Sequence, residues 1–412
     1  MPPVLFSDSL IPWGAGMNGC PATSVRPSVG GWGALCALCS LAVAVLASAR
    51  PEVLFIALIL GGALPMWLME WRPGEYVQVK QSSRWALSGG VAVCLMMIGS
   101  IWAQQTFGGS QGASVAPLLL PALIGAGLTI VFCLLFPHKV GESFTSVGRF
   151  IESPATIVLS GGRERMVVLG WCVKCLFLPL MLGSTLTWLE GLLAELPTQS
   201  IFVWFSIPMA VMYAIDTAFA SIGYMSTSRH LGAQIRSVDT TWLGWLSTLS
   251  CYPPLSVLVL DTWLIYRSSN DWVLWLSDGT FAASLWGAAI LLLTGIYTWA
   301  TIAFGPRFSN LTNRGIITHG PYRWGKHPAY FCKNLSWWLI SVPFLPSLNG
   351  GQALVHCLSL LAINGIYFVR ARTEERHLLQ DSVYRQYSAW IAEWGVFARA
   401  LRLFRKRAGA SS

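Results

Sequence analysis

Residues 281–304 read FAASLWGAAILLLTGIYTWATIAF, a stretch with no charged side chain. As a helix it would be about 36 Å long at 1.5 Å per residue, enough to cross a bilayer core. Similar runs recur along the whole chain of 412 residues. Of these residues 54% are hydrophobic and only 11% are charged, against roughly 25% charged in a soluble domain. Mean hydropathy is +0.56. Ten apolar segments can be marked: Gly33–Ala49, Val53–Trp71, Trp85–Ala103, Ala116–Phe136, Val168–Leu193, Ile201–Tyr224, Trp242–Tyr266, Phe281–Phe304, Leu335–Leu348 and Ala353–Val369. The fold class expected is all-α, a polytopic transmembrane helical bundle. Arg50-Pro51-Glu52 separates the first two segments, as in a tight helical hairpin.

The net charge of +9 does not point to nucleic acid, because the basic residues sit between apolar runs. Alternate connections carry them: Arg72, Lys80 and Arg84, then Lys139, Arg149, Arg163 and Arg165, then Arg229 and Arg236, then Arg307, Arg314, Arg323, Lys326 and Lys333. The opposite connections hold Arg50 and Arg267 among Glu190, Glu195, Asp271 and Asp278. The positive-inside bias then places both termini in the cytoplasm of a multi-pass protein of the cell inner membrane. The N-terminus has no basic region ahead of an early apolar run, so it does not read as a cleaved signal peptide. Cys36-x-x-Cys39 and Cys172-x-x-Cys175 lack a second Cys or His pair nearby, so no metal site is expected.

Three regions follow. Residues 1–32 read as a loose tail, 33–304 as eight spans, and 305–412 as a compact catalytic unit with a basic tail. Leu335–Leu348 is too short to span and contains Pro343 and Pro346. With Ala353–Val369 it suits a hairpin turning at Asn349-Gly350-Gly351. From Glu374 to about Phe404, Leu378, Tyr384, Tyr387, Trp390 and Ile391 recur at near-helical spacing before a basic tip, Arg402 to Arg407. That pattern suits a helix lying in the membrane interface.

The charged residues of this last unit concentrate in two motifs. Gly320-Pro321-Tyr322-Arg323-x-x-Lys326-His327-Pro328-x-Tyr330 precedes the hairpin, and Arg372-x-Glu374-Glu375 follows it. In this order they resemble the isoprenylcysteine carboxyl methyltransferase family, with its related phospholipid methyltransferases, over roughly Gly315 to Trp390. The resemblance implies S-adenosylmethionine, bound jointly by the two motifs at the cytoplasmic face, and a lipophilic, lipid or lipidated acceptor. Carried over residue by residue, Tyr322, His327, Pro328, Tyr330, Glu374 and Glu375 would bind the cofactor. Arg323, Arg372 and Glu375 would serve catalysis. The residue types suit the ligand: carboxylates offset a sulfonium and an ammonium, tyrosines offer flat faces with a polar tip, and an arginine grips a carboxylate with two bonds.

The chain departs from the family pattern in three ways. Lys326 stands where Arg is usual before His-Pro, Gln380-Asp381-Ser382-Val383-Tyr384 lacks an aromatic-Gly step, and the preceding spans are more numerous. Two other classes are open: a nicotinamide-dependent membrane reductase resembling sterol reductases, and a transporter or channel. Outside the unit, Asp216 lies in the middle of an apolar segment. An intramembrane carboxylate is costly unless protonated, paired or hydrated, so it is a candidate substrate-binding residue as well as a structural one. The stretch from His230 to Asp239 is a candidate rim over the acceptor.

Overall fold

In a computed structural model the chain is described over residues 19–73, 83–108, 115–136, 142–153, 162–197, 202–261, 272–276, 280–343, 350–396, 398–399 and 402. It is a helical bundle. Its long helices are α1 (Pro27–Leu46), α2 (Pro51–Glu70), α3 (Ser83–Phe107), α4 (Leu119–Leu135), α5 (Glu142–Glu152), α6 (Arg163–Glu195) and α7 (Val203–Met225). Then come α8 (Trp242–Leu249), α9 (Phe281–Phe304), α10 (Pro328–Ser341), α11 (Gly350–Leu378) and α12 (Ser382–Trp394). Eight helices among the described residues are long and apolar enough to cross a membrane. The protein is therefore an integral, multi-pass membrane protein.

The α1–α2 hairpin forms as expected, with Pro51 opening α2, where its missing N–H costs nothing. Small residues set the spacing of the bundle. A Cβ added at Gly30 would lie 2.1 Å from the Ile302 carbonyl oxygen of α9, and one at Gly33 would lie 2.7 Å from Met66 of α2. Such close approach is how helices pack in hydrocarbon, where burying apolar surface gives no driving force. The core gathers Leu54, Leu58, Met66, Phe219 and Ile222 with Tyr322, Tyr384 and Tyr387 from the far end of the chain.

Several expectations are corrected. Trp242–Tyr266 is not one span: α8 stops at Leu249, and Pro253-Pro254 follow at once, where no helix can continue its hydrogen bonding. The segment at Leu335–Leu348 belongs to a helix that begins earlier, at Pro328, and ends at Ser341 with Val342 in the left-handed region at φ 37°. Asn349 lies outside the described residues, and α11 begins at Gly350. That helix runs through the last apolar segment and on past Glu375, so the second motif is helical throughout. An additional helix, α5, occupies the basic connection after α4.

The tail also differs from the expectation. α1 starts at Pro27, and Cys20 to Ser24 lie against residues 316–319. The Ser24 N–H donates to the Ile316 carbonyl at 2.9 Å, and the Thr23 hydroxyl meets His319 Nδ1 at 2.9 Å. At the other end, the helix after Glu375 breaks at Asp381, whose carboxylate accepts from the Val383 N–H at 2.8 Å and caps α12. Tyr384, Tyr387, Trp390 and Ile391 of α12 are buried against protein rather than lying in the interface. The tip beyond Arg402 lies outside the described residues.

Two short strands join the connections that precede and follow the middle of the chain. β1 (Ser237–Val238) pairs antiparallel with β2 (Thr312–Asn313), matching Ser237 to Asn313 and Val238 to Thr312. This fixes the 230–239 stretch beside the first motif.

Candidate active site

The first motif is a 3-10 turn at Gly320–Arg323 followed by α10, which opens at Pro328. Gly320 has φ +59°, a conformation that other residues adopt only at a cost. Tyr322 is buried, and burial raises its phenol well above the usual tyrosine range. The turn is held from behind by α12: the Tyr387 hydroxyl donates to the carbonyls of Tyr322 at 2.7 Å and Gly325 at 3.2 Å.

The two motifs meet. His327 Nε2 lies 3.1 Å from Glu375 Oε1, and Lys326 Nζ donates to Glu375 Oε2 at 3.4 Å. The Tyr330 hydroxyl donates to Glu374 Oε2 at 2.8 Å, and the His327 ring stacks on Tyr330 with centroids 5.4 Å apart. Further along the same helices, Trp338 Nε1 donates to Asn364 Oδ1 at 2.9 Å, and Asn364 Nδ2 donates to Asn334 Oδ1 at 2.9 Å. Polar bonds therefore link α10 to α11 along their length.

These contacts border a cavity with ≈ 940 Å³ of non-atom space, open mouth included. Tyr322, Lys326, His327, Tyr330 and Glu374 line it. Glu375 does not; it holds Lys326 and His327 from the side. Pro328 is buried at the start of α10 and is likewise not a wall residue. Arg323 is exposed and lies off the cavity. Arg372 is 61% exposed, pairs with Glu375 at 3.7 Å and covers the Phe368 ring. The structure thus gathers the tyrosines, His327 and Glu374 and leaves both predicted arginines outside.

Another arginine is inside. Arg370 is buried and donates to Asn310 Oδ1 at 2.7 Å. Its guanidinium lies 5.0 Å from the Tyr330 ring centre and 5.3 Å from that of Tyr252. Among the described residues no carboxylate pairs with it within salt-bridge distance. Lys333, one turn along α10 from Tyr330, points its ammonium at the rings of Tyr297 and Trp337, each 5.3 Å away. Tyr297, Thr301, Asp239 and His377 also line the cavity.

Sequence reading counted Lys333 among the topology-setting charges and did not single out Arg370. The signal that finds them is helical spacing. Tyr367, Arg370, Glu374 and His377 follow one face of α11, and Tyr330, Lys333 and Trp337 follow one face of α10. Asp216 is buried and does not line the cavity. Its carboxylate accepts from the hydroxyls of Tyr297 and Thr301, which do. The His230–Asp239 stretch reaches the wall through Asp239.

Residues 282–380 match the model of the isoprenylcysteine carboxyl methyltransferase family. The match spans α9, the first motif, α10 and α11, which carry most of the cavity. No curated protein matches the chain, and no solved structure does.

Proposed function

We propose that the protein is an S-adenosylmethionine-dependent methyltransferase acting on a lipophilic or membrane-delivered acceptor. The observation that carries this reading is a pair of opposite charges one helical turn apart in one cavity, Arg370 and Glu374 on α11. The amino-acid end of the cofactor bears a carboxylate and an ammonium on one carbon, so it calls for both charges close together. Arg370 would grip the carboxylate, whereas Arg323 and Arg372 lie off the cavity. Glu374 is placed to offset the ammonium and sulfonium.

His327 and Tyr330 form a flat stack for the adenosyl part, and Glu375 fixes the His327 ring. Bound there, the cofactor supplies an electrophilic methyl group. The residues do the rest: they hold the donor, align the acceptor, and through Phe304, Phe308 and Tyr322 keep water from the reacting atoms. An apolar acceptor enters from the bilayer between helices. In this reading the cavity mouth and both termini face the cytoplasm at the inner membrane.

Calorimetry of the purified protein in detergent with S-adenosylmethionine, its demethylated product and NADPH tests the proposal. S-adenosylmethionine is expected to bind, and His327→Ala and Glu375→Ala each to weaken it about tenfold to a hundredfold with folding retained. Binding of NADPH alone would replace the reading with a reductase. Labelling of a Ser412→Cys variant by an impermeant reagent in intact cells would reverse the orientation.

A further inference from the structure

Asp216 is the one carboxylate of α7, and it is not paired with a cation at salt-bridge distance among the described residues. It is 7% exposed. Both of its oxygens are taken by hydroxyls from α9: Tyr297 donates to Oδ2 and Thr301 to Oδ1. The same two hydroxyl-bearing residues form part of the cavity wall. Each hydroxyl thus gives its proton to Asp216 and retains oxygen lone pairs for a partner on the cavity side.

Within the cavity lining, Tyr297 lies deeper than the ionisable groups at the end of α11. Glu374 and His377 lie in the last two turns of α11, at the mouth. Tyr297 lies seven residues before the end of α9, about 10 Å into the bundle at 1.5 Å per residue. Near the mouth, Glu374 and His327 are assigned to the cofactor in the reading above, His377 bonds to the Ser237 hydroxyl at 2.8 Å, and Asp239 accepts from the Thr241 hydroxyl at 2.7 Å.

We propose that Asp216 is the end of a proton relay, reached from the cavity through Tyr297 and Thr301, and that the acceptor is a nucleophile that arrives carrying a proton: an ammonium, a hydroxyl or a thiol. This rests on the methyltransferase reading above. A carboxylate acceptor is already ionised and needs no base. An ammonium must lose a proton before its nitrogen can attack, and a hydroxyl or thiol must lose its proton as it gains the methyl group. Its heteroatom forms the bond to the methyl carbon. The electron pair of the broken carbon–sulfur bond stays on sulfur, which becomes a neutral thioether. The acceptor's proton moves to the oxygen of Tyr297 or Thr301 as that hydroxyl passes its own proton to Asp216. Bulk water at the mouth recovers it afterwards.

The groups that face Asp216 set its response to pH. From α9 they are Tyr297 and Thr301. From α10 and the 320–323 turn, Lys333 and Tyr322 couple to it electrostatically. α6 meets α7 through Thr185 and Thr217, and α2 meets it through Gly62 against Ile222 and Phe219. Lys333 is the cation among them.

Infrared difference spectra of the full chain in detergent, taken between about pH 5 and about pH 9, test the relay without any acceptor. A carboxyl band that titrates in the wild type and is missing in Asp216→Asn is expected. On transfer to heavy water it is expected to shift quickly in the wild type and about tenfold or more slowly in Tyr297→Phe with Thr301→Val. Should that double variant fail to fold, Tyr297→Phe alone serves. No titrating band, or equally fast exchange without the two hydroxyls, overturns the relay.

A second assay uses four C14 probes with labelled S-adenosylmethionine: tetradecylamine, tetradecanol, tetradecanethiol and tetradecanoate. Methyl transfer to one of the first three, lowered about a hundredfold or more in Asp216→Asn with a changed pH profile, supports the proposal. Transfer to tetradecanoate at an unchanged rate in Asp216→Asn overturns the acceptor class. Calorimetry of S-adenosylmethionine on the same samples keeps the two ideas apart. Intact cofactor binding with a failed infrared test removes only the relay, whereas absent binding removes the methyltransferase reading.

Discussion

The first hairpin and the last one hold their helices together by opposite means. α1 and α2 meet through Gly33, Gly61 and Gly62, with Met66 and Ser40 filling the space left by the missing side chains. α10 and α11 are tied instead by Asn334–Asn364, Trp338–Asn364, Tyr330–Glu374 and the His327–Glu375 contact. Glycine contacts admit one spacing and resist any added atom. Polar ties leave room between the helices, and in this protein that room is the cavity. The first hairpin is closely packed, and the second lines the cavity with polar side chains.

The largest effect is expected where the same glycine packing joins α1 to α9. Gly30→Val places a branched side chain against the Ile302 backbone, which has no rotamer by which to yield. Loss of most folded protein is expected, with overpacking costs of about 1–3 kcal/mol or more, read by thermal unfolding and monodisperse yield in detergent. A wild-type melting temperature would show that α1 and α9 can part freely.

Next is Arg370. Arg370→Met keeps much of the side-chain bulk but removes the charge in the cavity. Affinity for S-adenosylmethionine is expected to fall about tenfold to a hundredfold, the loss of a hydrogen bond to a charged group, as measured by calorimetry. The polar ties themselves are individually weaker. Asn364→Leu removes two of them, and a loss of about 0.6–1.7 kcal/mol is expected for each interhelical bond. Unfolding in mixed micelles measures it, and a neutral result would mean that α10 and α11 are held by packing as the first hairpin is.

His319 gives a pH-dependent version. Burial lowers its pKa from 6.5 to about 4, so the folded protein keeps the ring neutral where the unfolded chain protonates it. Stability from this group is complete above pH 6.5 and is lost as the pH falls toward 4. A lower melting temperature at pH 5 than at pH 7 is expected, with a smaller difference in His319→Gln. The smallest effect is predicted for Arg372→Ala. Its pair with Glu375 is largely exposed, worth about 0.2–1 kcal/mol, so cofactor affinity should stay within about threefold of wild type. A large loss there would return the cofactor's carboxylate to Arg372 and take it from Arg370.

Much of the fold was legible because hydrocarbon imposes a simple condition. A helix that crosses a membrane must be long and apolar, and α1, α2, α3, α4, α6, α7 and α9 announce themselves in composition alone. The Trp242–Tyr266 error arose where apolar composition continued across Pro253-Pro254, which length counting overlooked. The paired motifs of the candidate site were equally visible, since charge is rare in this chain. Tyr322, His327, Tyr330 and Glu374 stand together around one cavity as residues that had been named in advance.

What the sequence determined by itself was the number and kind of helices, approximately, and the two polar motifs at the end of the chain. Which charges face inward was decided by the tertiary structure. Arg370 and Arg372 are two residues apart on one helix, so they point to nearly opposite sides, and only the packing of α10 and α8 against α11 shows which side is the cavity. The same holds for Asp216. Its place in the middle of a span was plain, but its two hydroxyl partners come from a helix some 80 residues later in the chain, separations of 81 and 85 residues. Composition follows from the solvent each residue type tolerates and is written locally. Contact between distant side chains depends on how whole helices rotate and pack, and no local pattern records that.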